Sequence, residues 1–101
     1  MIARSWTAEA TPARADEYLQ HFRAKVLPVI ASIEGHRGAY VLKRGRGDVV
    51  EIVVITLWES MDAVRKFAGD DPDVAVITRE ARTILSRADE HVAHYEVAWK
   101  S

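Results

Sequence analysis

The sequence predicts an α+β protein of the ferredoxin-like type, with element order β-α-β-β-α-β. Three observations carry this. Strand-like alternation opens and closes the chain, over residues 2–9 and in "HVAHYEVAW" (91–99). A glycine-rich "GRGD" (45–48) joins two β-rich runs into a hairpin. Helical periodicity fills the gaps on either side of that hairpin. The expected architecture is a four-stranded antiparallel sheet, order 4-1-3-2, with both helices on one face.

Each element has a local reason. Residues 2–9 alternate weakly and read as the first strand. "TP" at 11–12 starts a helix: Thr11 caps it, and Pro12 takes the first helical position, where its missing N–H costs nothing. Asp16 and Glu17 suit the positive end of the helix dipole. Ala15, Leu19, Phe22, Val26, Val29, Ile30 and Ile33 follow a 3.6-residue period. Pro28 inside that pattern predicts a kink or a restart, and Gly35 ends the helix. Residues 37–44 form the second strand and "VVEIVVITLWES" (49–60) the third. Ser60 caps a short helix that carries Met61, Val64 and Phe67 on one side and closes at Gly69. Residues 72–87 stay open between two readings: Asp71–Pro72 offers one helical turn, and Thr78 offers a cap for another through Leu85. Residues 91–99 are the fourth strand. With no linker, repeat or low-complexity segment, residues 1–101 read as a single domain.

The third strand has no wet side. Successive side chains point to opposite faces, yet both sets are apolar. Val50, Ile52, Val54, Thr56 and Trp58 form one; Val49, Glu51, Val53, Ile55 and Leu57 form the other. In this topology helices cover only one of them. Burying each aliphatic of the second set is worth about 1.5–3 kcal/mol, a large share of the ~5–15 kcal/mol that stabilises a whole domain. A partner surface is therefore expected, and the simplest is a second copy packed sheet to sheet.

Composition removes several function classes. A net charge of −1 argues against a general nucleic-acid binder. Cysteine is absent, so thiolate chemistry is excluded. "MIARSWTAEA" lacks the apolar core of a signal peptide, and no apolar run approaches the ~20 residues that span a bilayer, so the expectation is a cytoplasmic protein away from membranes. There is no GxGxxG and no GxxxxGK[ST], hence no dinucleotide or phosphate loop. "RGD" (46–48) is read as a hairpin turn.

At "LWESMDAVRKFAGDDPD" the chain resembles the antibiotic biosynthesis monooxygenase family of dimeric α+β barrels. Trp58-Glu59-Ser60 ends the strand, a short helix reaches Phe67, and Gly69 and Asp71-Pro72 follow. "MIARSW", "EGHRGAYVLKR" and "HYEVAW" are also similar to bacterial members, so the resemblance spans essentially the whole chain. It implies oxidation of a phenolic polycyclic or quinol substrate by O2 without metal or flavin. The pocket would bind an electron-rich aromatic, help deprotonate it, stabilise the anion and exclude water. The family's quinone-forming members carry an Asn four residues before the Trp and a Tyr six residues after it. Here those positions are Val54 and Val64. Haem-degrading relatives use an Asn on the first strand and a helical His. This chain has no Asn, and no His between His36 and His91.

The candidate residues each admit two readings. Trp58 walls an aromatic substrate, as the resemblance implies, or closes the strand-to-helix junction. Arg4 and Trp6 share a face of the first strand; His94 and Glu96 share a face of the neighbouring last strand. Either His94 is a general base with Arg4 stabilising an oxyanion, or Arg4 and Glu96 form a buried pair beside a satisfied His94. Tyr40 either hydrogen-bonds a substrate or packs in the core or interface. Arg79 follows the Asp-Pro segment, where some relatives place a substrate-binding Arg, or it starts a solvated helix. His36-Arg37 is a pocket mouth or a surface pair. "HVAH" does not chelate one ion, because i and i+3 on a strand face opposite ways; no metal is expected.

The expected function is a cofactor-independent monooxygenase acting on a small aromatic or polyketide-like substrate. Its residues are His94 and Arg4 for chemistry and Trp58, Trp6, Tyr40, Val54, Val64 and Arg79 for the pocket. Two alternatives use the same scaffold: a non-catalytic dimeric barrel that binds a small apolar or aromatic ligand, and a cofactor-free isomerase or cyclase.

Overall fold

The computed structural model describes residues 1–101. The elements run β1 (Ile2–Ala10), α1 (Pro12–His21), a π-helical turn (Phe22–Val26), α2 (Leu27–Ala31), β2 (His36–Arg46), β3 (Val49–Trp58), α3 (Met61–Ala68), α4 (Arg79–Ile84), β4 (Arg87–Ala88) and β5 (Ala93–Glu96). The sheet is antiparallel, in the order β2-β3-β1, with β4 and β5 both on the far edge of β1. This is the ferredoxin-like α+β fold. The expected fourth strand is split in two. After Asp89, whose N–H still donates to the Thr7 carbonyl at 3.0 Å, the chain leaves β1 and bonds to residues 73–75 instead: Val74 bridges His91, Ala75 N–H donates to Glu90 at 2.8 Å, and Val92 N–H donates to Asp73 at 2.9 Å. Residues 97–99 lie outside β5, although Val97 N–H still reaches the Met1 carbonyl at 2.8 Å.

The hairpin forms with a tighter turn than the sequence suggested. Arg46 pairs with Val49, which leaves only Gly47 and Asp48 in the loop, and Gly47 takes φ 65°. The first helix starts at Pro12 after an extended Thr11, but the Thr11 side chain makes no cap bond and Asp16 and Glu17 fall beyond the first turn. The restart expected from Pro28 takes a specific form. The helix widens through the π turn just before it, and Leu27 N–H bonds back to the Phe22 carbonyl, so Pro28 enters a new α segment at a position that needs no N–H. Ser60 caps α3 by accepting from Ala63 N–H at 3.2 Å, and Thr78 caps α4 by accepting from Ala81 N–H at 3.0 Å. Asp71–Pro72 forms a turn rather than a helical turn of its own, closed by Val74 N–H on the Asp71 carbonyl.

The register sorts the two sheet faces. Ile2, Arg4, Trp6, Ala8 and Ala10 stand opposite Trp58, Thr56, Val54, Ile52 and Val50, and this even set faces the helices. The core gathers there, with Trp58, Ile30, Ile52 and Val64 fully buried. The odd set of β3 faces the other way and is only half-buried. Tyr40 pairs with Ile55 and Leu42 with Val53 on that same outer face, and both are exposed, Tyr40 at 55% and Leu42 at 48%. Tyr95, opposite Ala3, extends the patch.

Gly35 locks the strand-to-helix junction. It sits at φ 97°, and its carbonyl accepts from Glu59 N–H at 2.7 Å; a Cβ there would lie 2.6 Å from the Cβ of Ala63. Only glycine allows the α2–β2 turn to come this close to the start of α3.

Candidate active site

A cavity opens between the helix face of the sheet, α1 and the segment 75–78. Its interior holds about 60 Å³, room for a few waters, and about 540 Å³ when the mouth open to solvent is counted. The lining is mostly apolar, with Trp6, Phe22, Val54 and Phe67 among its walls. Four polar groups enter it: Arg4, Thr56, Thr78 and His21; the ring of Tyr18 lines it as well.

Arg4 is the electrostatic centre. It is 4% exposed, and it bonds no carboxylate directly; Asp73 reaches it only through His94. One guanidinium nitrogen donates to the Pro72 carbonyl and lies 2.9 Å from His94 Nε2; the other donates to the Val74 carbonyl at 3.1 Å. The Arg4 head also lies 5.8 Å from the centre of the Phe67 ring. Burial lowers its pKa and the field of Asp73 opposes that shift; a guanidinium nonetheless stays charged in proteins.

His94 completes this cluster from β5. A guanidinium only donates, so His94 Nε2 accepts and the ring proton sits on Nδ1, which faces Asp73 at 3.3 Å. Burial, then the charge of Arg4, lowers its pKa, against the pull of Asp73. The imidazole is therefore neutral and fully engaged. His94 does not line the cavity; it braces Arg4. Glu96 is exposed and stands opposite Ile2, so the expected Arg4–Glu96 pair does not form.

A second polar cluster lies across the cavity, on α1 and the start of α4. His21, the last residue of α1, is 5% exposed. Its Nδ1 lies 2.6 Å from a Glu80 carboxylate oxygen and its Nε2 lies 2.8 Å from the Thr78 hydroxyl. Tyr18, one turn earlier, is buried at 4% exposure against Trp6 and His21, and burial raises its pKa. Helical spacing could have found both, since Ala15, Tyr18 and Phe22 share one face with His21 at its border. The apolar pattern instead favoured Leu19 and Val29, and Val29 is 53% exposed.

The structure thus brings Arg4, Trp6 and Val54 to the cavity and leaves other candidates outside it. Trp58 lies behind Phe67, stacked at 5.8 Å with an interplanar angle of 19°, and its indole N–H donates to Thr56 at 2.8 Å. It closes the strand-to-helix junction, and Phe67 presents the aromatic wall. Val64 is fully buried off the cavity. Tyr40 lies on the opposite face of the sheet, so its hydroxyl does not reach the cavity. Arg79 is exposed at the start of α4 and does not line it. His36 packs edge-on against Trp58 at 5.3 Å.

Fold and cavity define the class: a ferredoxin-like α+β protein with a chamber between sheet and helices. The chain belongs to the antibiotic biosynthesis monooxygenase family, whose model matches residues 1–72. Among solved structures it is similar to a Bacillus cereus protein provisionally described as an antibiotic biosynthesis monooxygenase, at 19% identity and TM-score 0.71, covering 99% of this chain and 95% of that one. It is similar to the haem degrader MhuD from Mycobacterium tuberculosis, at 19% identity and TM-score 0.64, covering 100% and 99%. It is also similar to a monooxygenase of Streptomyces coelicolor in complex with nanaomycin D, at 22% identity and TM-score 0.53, covering 70% and 62%. No curated protein matches it. At these identities the structural likeness establishes the fold.

The residues present do not fit a haem: the only histidine of the cavity, His21, has both ring nitrogens engaged and offers no lone pair to an iron. No group of three His, Asp or Glu side chains is placed to hold a metal ion. No helix is long and apolar enough to cross a membrane.

Proposed function

We propose that the protein is a monooxygenase-type enzyme that binds a small aromatic phenol, enol or quinol in this cavity and stabilises its anion for reaction with O2. The buried, salt-bridge-free Arg4 carries the reading. A buried charge is costly unless something answers it. Two carbonyls and a neutral imidazole hold the cation, and the nearest carboxylate, the solvent-exposed Asp73, reaches it only through His94, so an anionic ligand in the cavity is the direct partner this reading supplies. Trp6 and Phe67 supply flat apolar walls, and family membership supplies the reaction class.

The chemistry follows from the site. Loss of a proton from the substrate hydroxyl or an activated ring C–H gives an electron-rich anion held against Arg4. The anion reduces O2, and a new C–O bond forms on the ring. Loss of water from the resulting hydroperoxide leaves one oxygen in a quinone and the other in the water. The apolar lining limits competing solvent. The substrate occupies the mouth as well as the interior, within the roughly 540 Å³ that the two enclose together.

The same reading includes a homodimer through the outer sheet face. Tyr40, Leu42 and Tyr95 are exposed there beside the half-buried Val53, Ile55 and Leu57. A contiguous apolar patch of this kind marks an interaction surface. The binding-protein alternative keeps one observation in its favour: Val54 presents an apolar side chain to the cavity.

Oxygen consumption decides between them. An anthrone and quinol panel should support O2 uptake above the uncatalysed rate, and Arg4→Met should lower it at least tenfold. Tight binding of panel members with no uptake would establish the ligand-sink reading. Solvent deuterium entering the ligand without O2 loss would establish an isomerase.

A further inference from the structure

We propose that Thr78, His21 and Glu80 form a proton relay that takes the hydroxyl proton of a phenol or enol bound in the cavity and delivers it toward solvent. This rests on the ligand class proposed above and assigns the base for it.

Three groups lie in hydrogen-bonded sequence. A carboxylate only accepts, so the Glu80 oxygen at 2.6 Å fixes a proton on His21 Nδ1. With the ring in its neutral form, Nε2 is the acceptor, and at 2.8 Å it is placed to receive the Thr78 hydroxyl proton. Carboxylate, imidazole and hydroxyl are thus arranged so that the hydroxyl is activated by a base that a third group orients. The Thr78 oxygen also accepts the Ala81 N–H at 3.0 Å, which fixes its position and leaves its second lone pair free.

The relay crosses the cavity wall. Thr78 and His21 line the cavity, and His21 and Glu80 line a groove on the outside of α1 and α4. His21 is sealed between them, with its side chain 2% exposed, whereas the Glu80 side chain is 59% exposed. A buried histidine with one nitrogen toward a chamber and the other toward a solvated carboxylate has the connectivity of a proton exit. Packing alone does not require that order.

The step balances without a co-reactant. The ligand O–H bond breaks and its proton moves to the Thr78 oxygen as the Thr78 proton moves to His21 Nε2. The products are a ligand oxyanion and an imidazolium. The Glu80 carboxylate stabilises the imidazolium, and the oxyanion shares the chamber with Arg4. The Nδ1 proton then leaves by way of Glu80, which leaves the transferred proton on Nε2 until the ring returns to its resting tautomer on release of the ligand. His94, with Nε2 on Arg4 and no face on the cavity, has no comparable path.

The test uses the full chain and para-nitrophenol, whose anion absorbs in the visible, with para-nitroanisole as the methyl ether that has no proton to give. Below the pH at which the free phenol ionises, the bound phenol should be largely phenolate. The nitrogen NMR signal of His21 Nε2 should move to its protonated position in step. Thr78→Val and Glu80→Gln should each cut the bound phenolate fraction at least fivefold, Thr78→Ser should restore it, and affinity for the methyl ether should hold within twofold. Glu80 is solvated, so Glu80→Gln tests the relay without disturbing the core.

Phenolate that forms while His21 Nε2 stays unprotonated, or an unchanged phenolate fraction in Thr78→Val, would overturn the relay. No binding of either probe at millimolar concentration would overturn both the ligand class and the relay. The two proposals fail separately elsewhere: a working relay without O2 uptake sinks the oxygenase, and full O2 uptake in Thr78→Val sinks the relay.

Discussion

His94 Nε2 lies 2.9 Å from a guanidinium nitrogen of Arg4, and that contact fixes the imidazole as neutral. Burial and the neighbouring cation make the folded protein bind this proton less readily than the unfolded chain does. The sign follows from linkage: stability tied to His94 is complete above the ordinary imidazole value of about 6.5 and is lost as pH falls below it. His36 shifts in the same direction through burial and then Arg37. Thermal unfolding should therefore show a falling Tm between about pH 7 and about pH 5. His94→Gln should flatten that fall, leaving the part due to His36. An equal fall in the variant would show that His94 does not titrate against Arg4.

Arg4 also ties down the strap that roofs the cavity, because it bonds the carbonyls of Pro72 and Val74. Arg4→Met keeps the apolar stem and removes a buried charge, so loss of desolvation cost offsets the lost bonds and net stability should change by less than about 2 kcal/mol. Local order should change far more. Hydrogen exchange at Ala75 and Val92, which bond Glu90 and Asp73 across the strap, should speed up at least tenfold. Protection unchanged at those amides would mean that the strap holds itself.

Gly35→Ala places a Cβ 2.6 Å from the Cβ of Ala63 on a backbone at φ 97°. Both the strain and the overlap are unfavourable, and together they should cost about 2–4 kcal/mol. Urea unfolding reads this as a lower midpoint at constant slope. A loss under about 0.5 kcal/mol would show that the junction can move apart.

The outer face of the sheet should hold two chains together. Sedimentation at low micromolar concentration should find a dimer for the native chain and a monomer for Ile55→Lys, which puts a charge at the centre of the apolar patch. A native chain that runs as a stable, folded monomer would contradict the proposed interface.

The architecture was legible because both strand periodicity and caps act locally. Ser60 caps the helix it was expected to cap, Thr78 caps the one of the two open turns that forms a helix, and Pro12 starts α1, though Thr11 makes no side-chain cap bond. The site was only partly legible, for reasons of geometry. Arg4 and Trp6 were readable from strand alternation, which puts them on the helix side once the sheet order is known. Tyr18 and His21 were missed because a polar residue at the edge of an apolar helix stripe looks like surface until the partner across it is known. Thr78 and Glu80 meet His21 across 57 and 59 positions of sequence, and no local pattern records such a contact. Trp58 was recognisable from its motif, yet only packing shows that Phe67 stands between it and the cavity. The family match ends at residue 72, before Thr78, Glu80 and His94.

If Arg4 awaits an anion in the cavity, calorimetry with para-nitrophenol and para-nitroanisole will show it. A charge-assisted hydrogen bond is worth about 1.5–3 kcal/mol. The native protein should therefore prefer the ionised phenol over its methyl ether by at least tenfold, and Arg4→Met should bind the two alike. Equal affinities in the native protein, or an undiminished preference in Arg4→Met, would mean that Arg4 does not serve as an anion site.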